Sequence, residues 1–153
     1  MKRSCDVISA LKGRTLVTAE SCTGGGIGAA LTAVPGSSAV FKGGIISYTN
    51  QVKQDMLGVD SKLLEQFGAV SEPVAKAMAA GARECMSADI AVSVTGLAGP
   101  DGDDFGNPVG TVFVGYADEN GAKAFVCHFK GNREEVRSCA VKMALDIILR
   151  EIK

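Results

Sequence analysis

Three short apolar runs in this sequence, at residues 16–20, 40–48 and 90–95, each break directly into a polar or glycine-rich loop. The loops are Glu20-Ser21-Cys22-Thr23-Gly24-Gly25-Gly26, Ser47-Tyr48-Thr49-Asn50 and Thr95-Gly96-Leu97-Ala98-Gly99-Pro100-Asp101-Gly102. Short apolar runs bounded by turn signals read as buried strands. In an open α/β sheet, ligands bind in the crevice beyond the carboxyl ends of the parallel strands. If the three strands are parallel, their loops converge at one sheet edge. That convergence is a stronger signal than any one loop.

Helical patterns separate the strands. A short helix is expected over residues 5–11, ended by Gly13, and another over 23–33 begins in the glycine cluster. Pro35-Gly36-Ser37-Ser38 is a turn, and Gly43-Gly44 interrupts the second strand as a bulge would. Asn50 can cap a helix to Leu57, where Gly58 stops it. Ser71 can cap a helix reaching Met86, with an apolar stripe of Val74, Ala75, Met78, Ala79, Ala82 and Cys85. Residues 111–116 and 124–129 read as a hairpin across Asp118-Glu119-Asn120-Gly121. Asn132 and Glu135 have the form of a capping box for a last helix, with Val136, Ala140, Met143 and Ile147 on its core face. Alternating strands and helices predict a three-layer α/β/α fold. The closing hairpin makes its central sheet mixed, though mostly parallel. No linker or repeat divides residues 1–153, so one domain is expected.

Composition narrows the partners. Sixteen basic residues against 17 acidic ones give a net charge of −1, which argues against a general nucleic-acid binder. Lys12 and Arg14 interrupt the N-terminal apolar stretch, and no run approaches the roughly 20 apolar residues of a membrane span. The five cysteines are scattered without C-x-x-C spacing, a pattern of reduced thiols with neither disulfide framework nor zinc site. A cytoplasmic protein without metal is expected.

The first loop admits several readings. Gly24-Gly25-Gly26-Ile27-Gly28-Ala29 fits the G-x-G-x-x-A dinucleotide fingerprint, but Tyr48, Thr49 and Asn50 stand where its acidic residue belongs. Alternatively, Ser21 is a nucleophile at a strand-to-helix turn, backed by the positive end of the helix. In the plainest reading, Ser21 or Thr23 is only an N-cap. The single histidine, His128, falls on the outer face of an alternating strand with no partner acid. Lys53 is then the base on offer, in the first turn after Asn50, where burial and the helix dipole lower its pKa. Tyr48 can pass a proton between Ser21 and Lys53, whereas Cys22 reads as a small packed side chain. A solvated Lys53 and a packed Tyr48 remain the structural alternative. Helix N-termini after Gly24 and near Asn132, with Arg133 and Arg137, are the best anion sites in the sequence.

Thr18-Ala19-Glu20-Ser21-Cys22-Thr23-Gly24-Gly25, Pro35-Gly36-Ser37-Ser38, Gly43-Gly44-Ile45-Ile46-Ser47-Tyr48-Thr49-Asn50 with Lys53, Gly68-Ala69-Val70-Ser71, Thr95-Gly96-Leu97-Ala98-Gly99-Pro100-Asp101-Gly102 and Pro108-Val109-Gly110-Thr111-Val112 together resemble the C-terminal domain of the CinA (competence/damage-inducible) family. The similarity runs in order along nearly the whole chain. It implies a free-standing nicotinamide-nucleotide amidase, which converts nicotinamide mononucleotide to nicotinic acid mononucleotide and ammonia. It further implies Ser21 as nucleophile assisted by Tyr48 and Lys53, no metal or organic cofactor, and a homo-oligomer. Glu20, Thr23, Gly24, Gly25, Gly44, Thr95, Gly96, Arg133 and Arg137 are the expected substrate-binding residues, with backbone N–H groups around Thr23 and Gly24 holding the oxyanion. One departure is Gly131-Asn132-Arg133, where the family usually has Gly-Asp-Arg. The competing reading is a non-catalytic nucleotide-phosphate-binding or interaction module, which would not need Ser21, Tyr48 and Lys53 together.

Overall fold

The alternating pattern resolves into five strands in the computed structural model, which describes residues 1–152. They are β1 (Leu16–Glu20), β2 (Phe41–Ile46), β3 (Ile90–Gly96), β4 (Thr111–Asp118) and β5 (Gly121–His128), in the order β2-β1-β3-β4-β5. β1 pairs in parallel with β2 and β3, and the hairpin β4–β5 adds antiparallel pairings beyond β3. β4 therefore runs against the other four strands, and the sheet is mixed with a parallel centre. The C-terminal ends of β1, β2 and β3 share one edge, as convergence of the three loops requires.

Side-chain alternation along the strands divides the core in two. Leu16, Ile90, Val92, Val94, Val112 and Val114 join one apolar cluster. Against it lie α1 (Lys2–Ala10), α2 (Gly26–Thr32) and α6 (Arg133–Glu151). Val17, Ala19, Ala91 and Ala117 face the other way, toward α5 (Glu72–Cys85), which is backed by α3 (Asn50–Leu57) and α4 (Ser61–Phe67). This second face is built from small residues, so α5 sits close enough for Ser93 Oγ to donate to the Ala75 carbonyl at 2.7 Å. β3, a central strand covered on both faces, is buried from Ile90 to Thr95, and its two hydroxyl residues, Ser93 and Thr95, both donate to main-chain carbonyls. No helix among the described residues is long and apolar enough to cross a membrane.

Several boundaries differ from the sequence expectation. α2 begins at Gly26, because Gly24 and Gly25 adopt left-handed φ values of 58° and 99° and belong to the turn. Thr49, not Asn50, caps α3, its hydroxyl accepting from the Val52 N–H. Ser71 precedes α5, but its hydroxyl donates back to the Gly68 carbonyl instead of capping. α4, capped by Asp60, lies in a stretch for which no element was expected. Cys85 drops out of the buried stripe and is exposed. The strand irregularity falls at Lys42, just before Gly43-Gly44. The Asn132–Glu135 capping box forms in both directions.

The close face predicts an overpacking defect. A methyl group on Gly115 would collide with the Ala75 carbonyl and Ser93 Oγ. Gly115→Ala is expected to lower the unfolding free energy by about 1–3 kcal/mol. In urea titration this appears as a lower midpoint at unchanged slope.

Candidate active site

β1 ends at Glu20, and Ser21 follows at the turn, its N–H held by the Val94 carbonyl of β3 at 3.0 Å. β2 ends at Ile46, and its neighbour Ser47 is held to β1 by a 2.7 Å bond to the Glu20 carbonyl. One turn into α3, Lys53 points back beneath these strand ends, 1% exposed. Its Nζ donates to Ser21 Oγ at 3.1 Å, to the Ser47 carbonyl at 2.7 Å and to the Tyr48 carbonyl at 3.4 Å. Burial pulls the amine down to about 8, opposed only by a smaller effect of Cys22. A neutral lysine amine has two N–H groups and one lone pair. With the two carbonyls taking the N–H groups, the lone pair is left for the Ser21 hydroxyl.

Above this pair opens a cavity of about 350 Å³, lined by Ser21, Cys22, Tyr48, Lys53, the 95–101 loop and Arg133. That volume lies at the low end of small-molecule pockets. The Cys22 thiol, pushed up to about 11 mainly by burial, stays protonated and packs as a small apolar group. His128 is exposed on β5, away from the cavity. Among the described residues, no three His, Cys, Asp or Glu side chains group closely enough to hold a metal ion.

The CinA C-terminal domain family matches this sequence over residues 2–152. The chain belongs to that family. CinA-like proteins of Rippkaea orientalis and Synechococcus sp. are 51% and 52% identical over 144 and 136 residues, covering 92% and 88% of this chain. This chain spans only about a third of the length of these curated relatives, 35% and 32%. Solved structures match it nearly end to end. The competence damage-inducible protein A of Klebsiella pneumoniae superposes with a TM-score of 0.96 at 34% identity, over 99% of this chain and 95% of its own. The competence/damage inducible protein CihA of Agrobacterium tumefaciens gives 0.95 at 40% identity, over 99% and 94%.

In this CinA domain the expected site residues fall into two groups. Ser21, Tyr48, Lys53, Thr95, Gly96 and Arg133 line the cavity, whereas Glu20, Thr23, Gly24, Gly25, Gly44 and Arg137 do not. Tyr48 does not stand between Ser21 and Lys53, because Lys53 reaches the serine directly. The Tyr48 ring projects outward, 58% exposed, and its hydroxyl accepts from the Arg133 guanidinium at 3.2 Å. The backbone carbonyl of Tyr48, not its phenol, is the part that meets Lys53. Arg133 also donates to the Gly99 carbonyl at 2.6 Å, so it ties the second and third loops together at the cavity rim. Arg137 instead holds the first loop from behind, through the Cys22 and Thr23 carbonyls.

The start of α2 is not an open anion seat. Gly24 N–H donates to the Ser21 carbonyl and Gly26 N–H to the Thr23 carbonyl. Glu20 accepts from the N–H groups of Ile27 and Gly28. Gly44 serves the sheet, since a Cβ there would strike Thr18 Oγ1, and Gly96 serves its contact with Val112. Two parts of the site were missed from sequence. Main-chain carbonyls at 47 and 48 have no side-chain signature. The Ala69–Val70 wall had one, the Gly68-Ala69-Val70-Ser71 motif, and Thr95 Oγ1 and Asn107 fasten it to the third loop.

Burial of Lys53 makes a prediction independent of any substrate. In a side-chain NMR titration its ε-carbon signal should move with a midpoint of about 8. An exposed lysine titrates near ~10.4. A midpoint in the exposed range would show that the amine is hydrated in solution.

Proposed function

We propose that this chain is an amidohydrolase that converts nicotinamide mononucleotide to nicotinic acid mononucleotide and ammonia. The observation that carries this reading is the 3.1 Å contact between Ser21 Oγ and the buried Lys53 amine on the floor of a cavity. A phosphate-binding module would have no use for a lysine withdrawn from water and aimed at a serine. The likeness of the motifs to nicotinamide-nucleotide amidases supplies the substrate.

The chemistry follows from the pair. Neutral Lys53 accepts the Ser21 proton as Oγ attacks the carboxamide carbon. The resulting oxyanion needs N–H donors. Gly24 is already committed, but the N–H of Cys22, the residue after the nucleophile, donates to no main-chain carbonyl among the described residues. Collapse of the tetrahedral intermediate breaks the C–N bond, and the Lys53 ammonium returns its proton to the departing nitrogen, releasing ammonia. Water then attacks the Ser21 ester, giving its proton to Lys53, and the acid leaves as Ser21 is reprotonated. Arg133, with guanidinium N–H groups to spare at the rim, takes the nucleotide phosphate.

Ammonia release from nicotinamide mononucleotide by the purified protein is the direct assay. Ser21→Ala should reduce turnover about a thousandfold or more. Because the free amine is the active form, activity should rise with pH along a limb centred at about 8 and level off above it. Lys53→Arg keeps the charge but cannot release its proton, so it should fall at least about a hundredfold, close to Lys53→Ala. An active Lys53→Arg enzyme would make the residue a fixed charge and end the base assignment.

Arg133→Ala separates binding from chemistry. Loss of the phosphate contact should raise KM roughly tenfold while kcat changes by no more than about threefold. An unchanged KM for the nucleotide would remove Arg133 from the phosphate site.

A further inference from the structure

Glu20 is 2% exposed, lies immediately before the serine, and takes part in none of the ion pairs among the described residues. Its carboxylate is balanced by hydrogen bonds alone. Oε1 accepts from Thr23 Oγ1 at 2.7 Å and the Ile27 N–H at 2.9 Å. Oε2 accepts from the Gly28 N–H at 3.0 Å and Thr18 Oγ1 at 3.3 Å. Gly25, the N-cap of α2, has no side chain with which to cap, so Glu20 performs that task from the end of the strand. The carboxylate thereby spans the turn that carries Ser21, fixing its two ends, β1 and α2, to one another. It lines no part of the cavity.

We propose that Glu20 is a positioning residue for the nucleophile: it locks the 21–25 turn so that Ser21 Oγ stays on the Lys53 amine. The substitution that isolates this role is Glu20→Gln. It keeps the volume but replaces one acceptor with an NH₂ group that faces an N–H or hydroxyl donor. One side of the clamp then opens, and the turn is released. The inference rests on Ser21 being the nucleophile, so its test reads Ser21 directly.

The probe is an alkyl fluorophosphonate, with covalent labelling of Ser21 followed by intact-protein mass spectrometry above the Lys53 midpoint. In parallel, kcat and KM are measured with nicotinamide mononucleotide. Glu20→Gln should slow labelling and kcat together, by roughly tenfold to a hundredfold, for a displaced reacting atom. KM should stay within about twofold. Unchanged labelling with only a lower Tm would make Glu20 a plain helix cap and overturn the proposal. A raised KM with unchanged labelling would make it a substrate contact, with the same result. Wild-type protein that does not label at Ser21 would instead overturn the nucleophile reading, and this inference with it. If Glu20→Gln does not fold, Thr23→Val removes one donor from Oε1 and leaves the carboxylate in place. Slower labelling of that variant supports the clamp, and labelling at the wild-type rate overturns it.

Discussion

An amine withdrawn from water loses its preference for the charged form, and the Lys53 side chain is almost wholly withdrawn. Its surroundings do not restore that preference, since they offer two carbonyls and a hydroxyl but no carboxylate within bonding distance. The charge is disfavoured in the fold relative to the unfolded chain. This penalty stands in full below about 8 and disappears as the pH rises past the range of an exposed lysine. The geometry around Ser21 follows from it. The end of β1 presents the Ser21 hydroxyl and the end of β2 the Ser47 and Tyr48 carbonyls, because parallel strands finish at the same edge, and α3 enters beneath them to bring the amine in. A lysine at position 50, 51, 55 or 56 of α3 would reach solvent.

The sheet accommodates this arrangement through unequal faces. Leucines, isoleucines and valines from α1, α2 and α6 fill the first face, while the second is lined by alanines, Ser93 and Gly115. Small residues let α5 approach closely, and α3 and α4 then stack on α5. Gly81 belongs to the same arrangement, for a Cβ there would strike the Leu57 carbonyl at the end of α3. The depth at which α3 sits is thus set by the helix behind it. Packing in the second cluster and the reach of Lys53 toward Ser21 are coupled through α3.

Much of this was legible in the sequence because it is written in periodicity and punctuation. Apolar runs that break into glycine loops located β1, β2 and β3, and the Asn132–Glu135 spacing located the start of α6. The pairing of Lys53 with Ser21 was legible by elimination, since His128 lies on an alternating strand without a partner acid, and through the motifs shared with the family. Direction was harder to read. Tyr48 stands at the strand end as expected, yet sequence does not say whether its ring or its carbonyl faces the lysine. Glu20 was among the substrate-binding residues expected with the family resemblance, but successive residues leaving a strand diverge, and its side chain turns toward α2. α4 escaped notice because seven residues carry too little periodicity to separate helix from loop.

The placement of charge also decides how an anionic ligand must lie. A glycine-rich turn before a helix ordinarily offers its N–H groups to a phosphate. Here the Ile27 and Gly28 N–H groups are taken by the Glu20 carboxylate, a covalently attached anion in the same position. A phosphate brought to that end of α2 would meet a buried negative charge and no free donors from Gly24 or Gly26. The opposite rim carries Arg133, held by Gly99 and Tyr48 but with N–H groups left over. The spare guanidinium N–H groups of this cavity therefore lie at the Arg133 rim. The floor of the cavity, at Ser21 and the buried Lys53, is where a charged ligand group would be the most costly to desolvate.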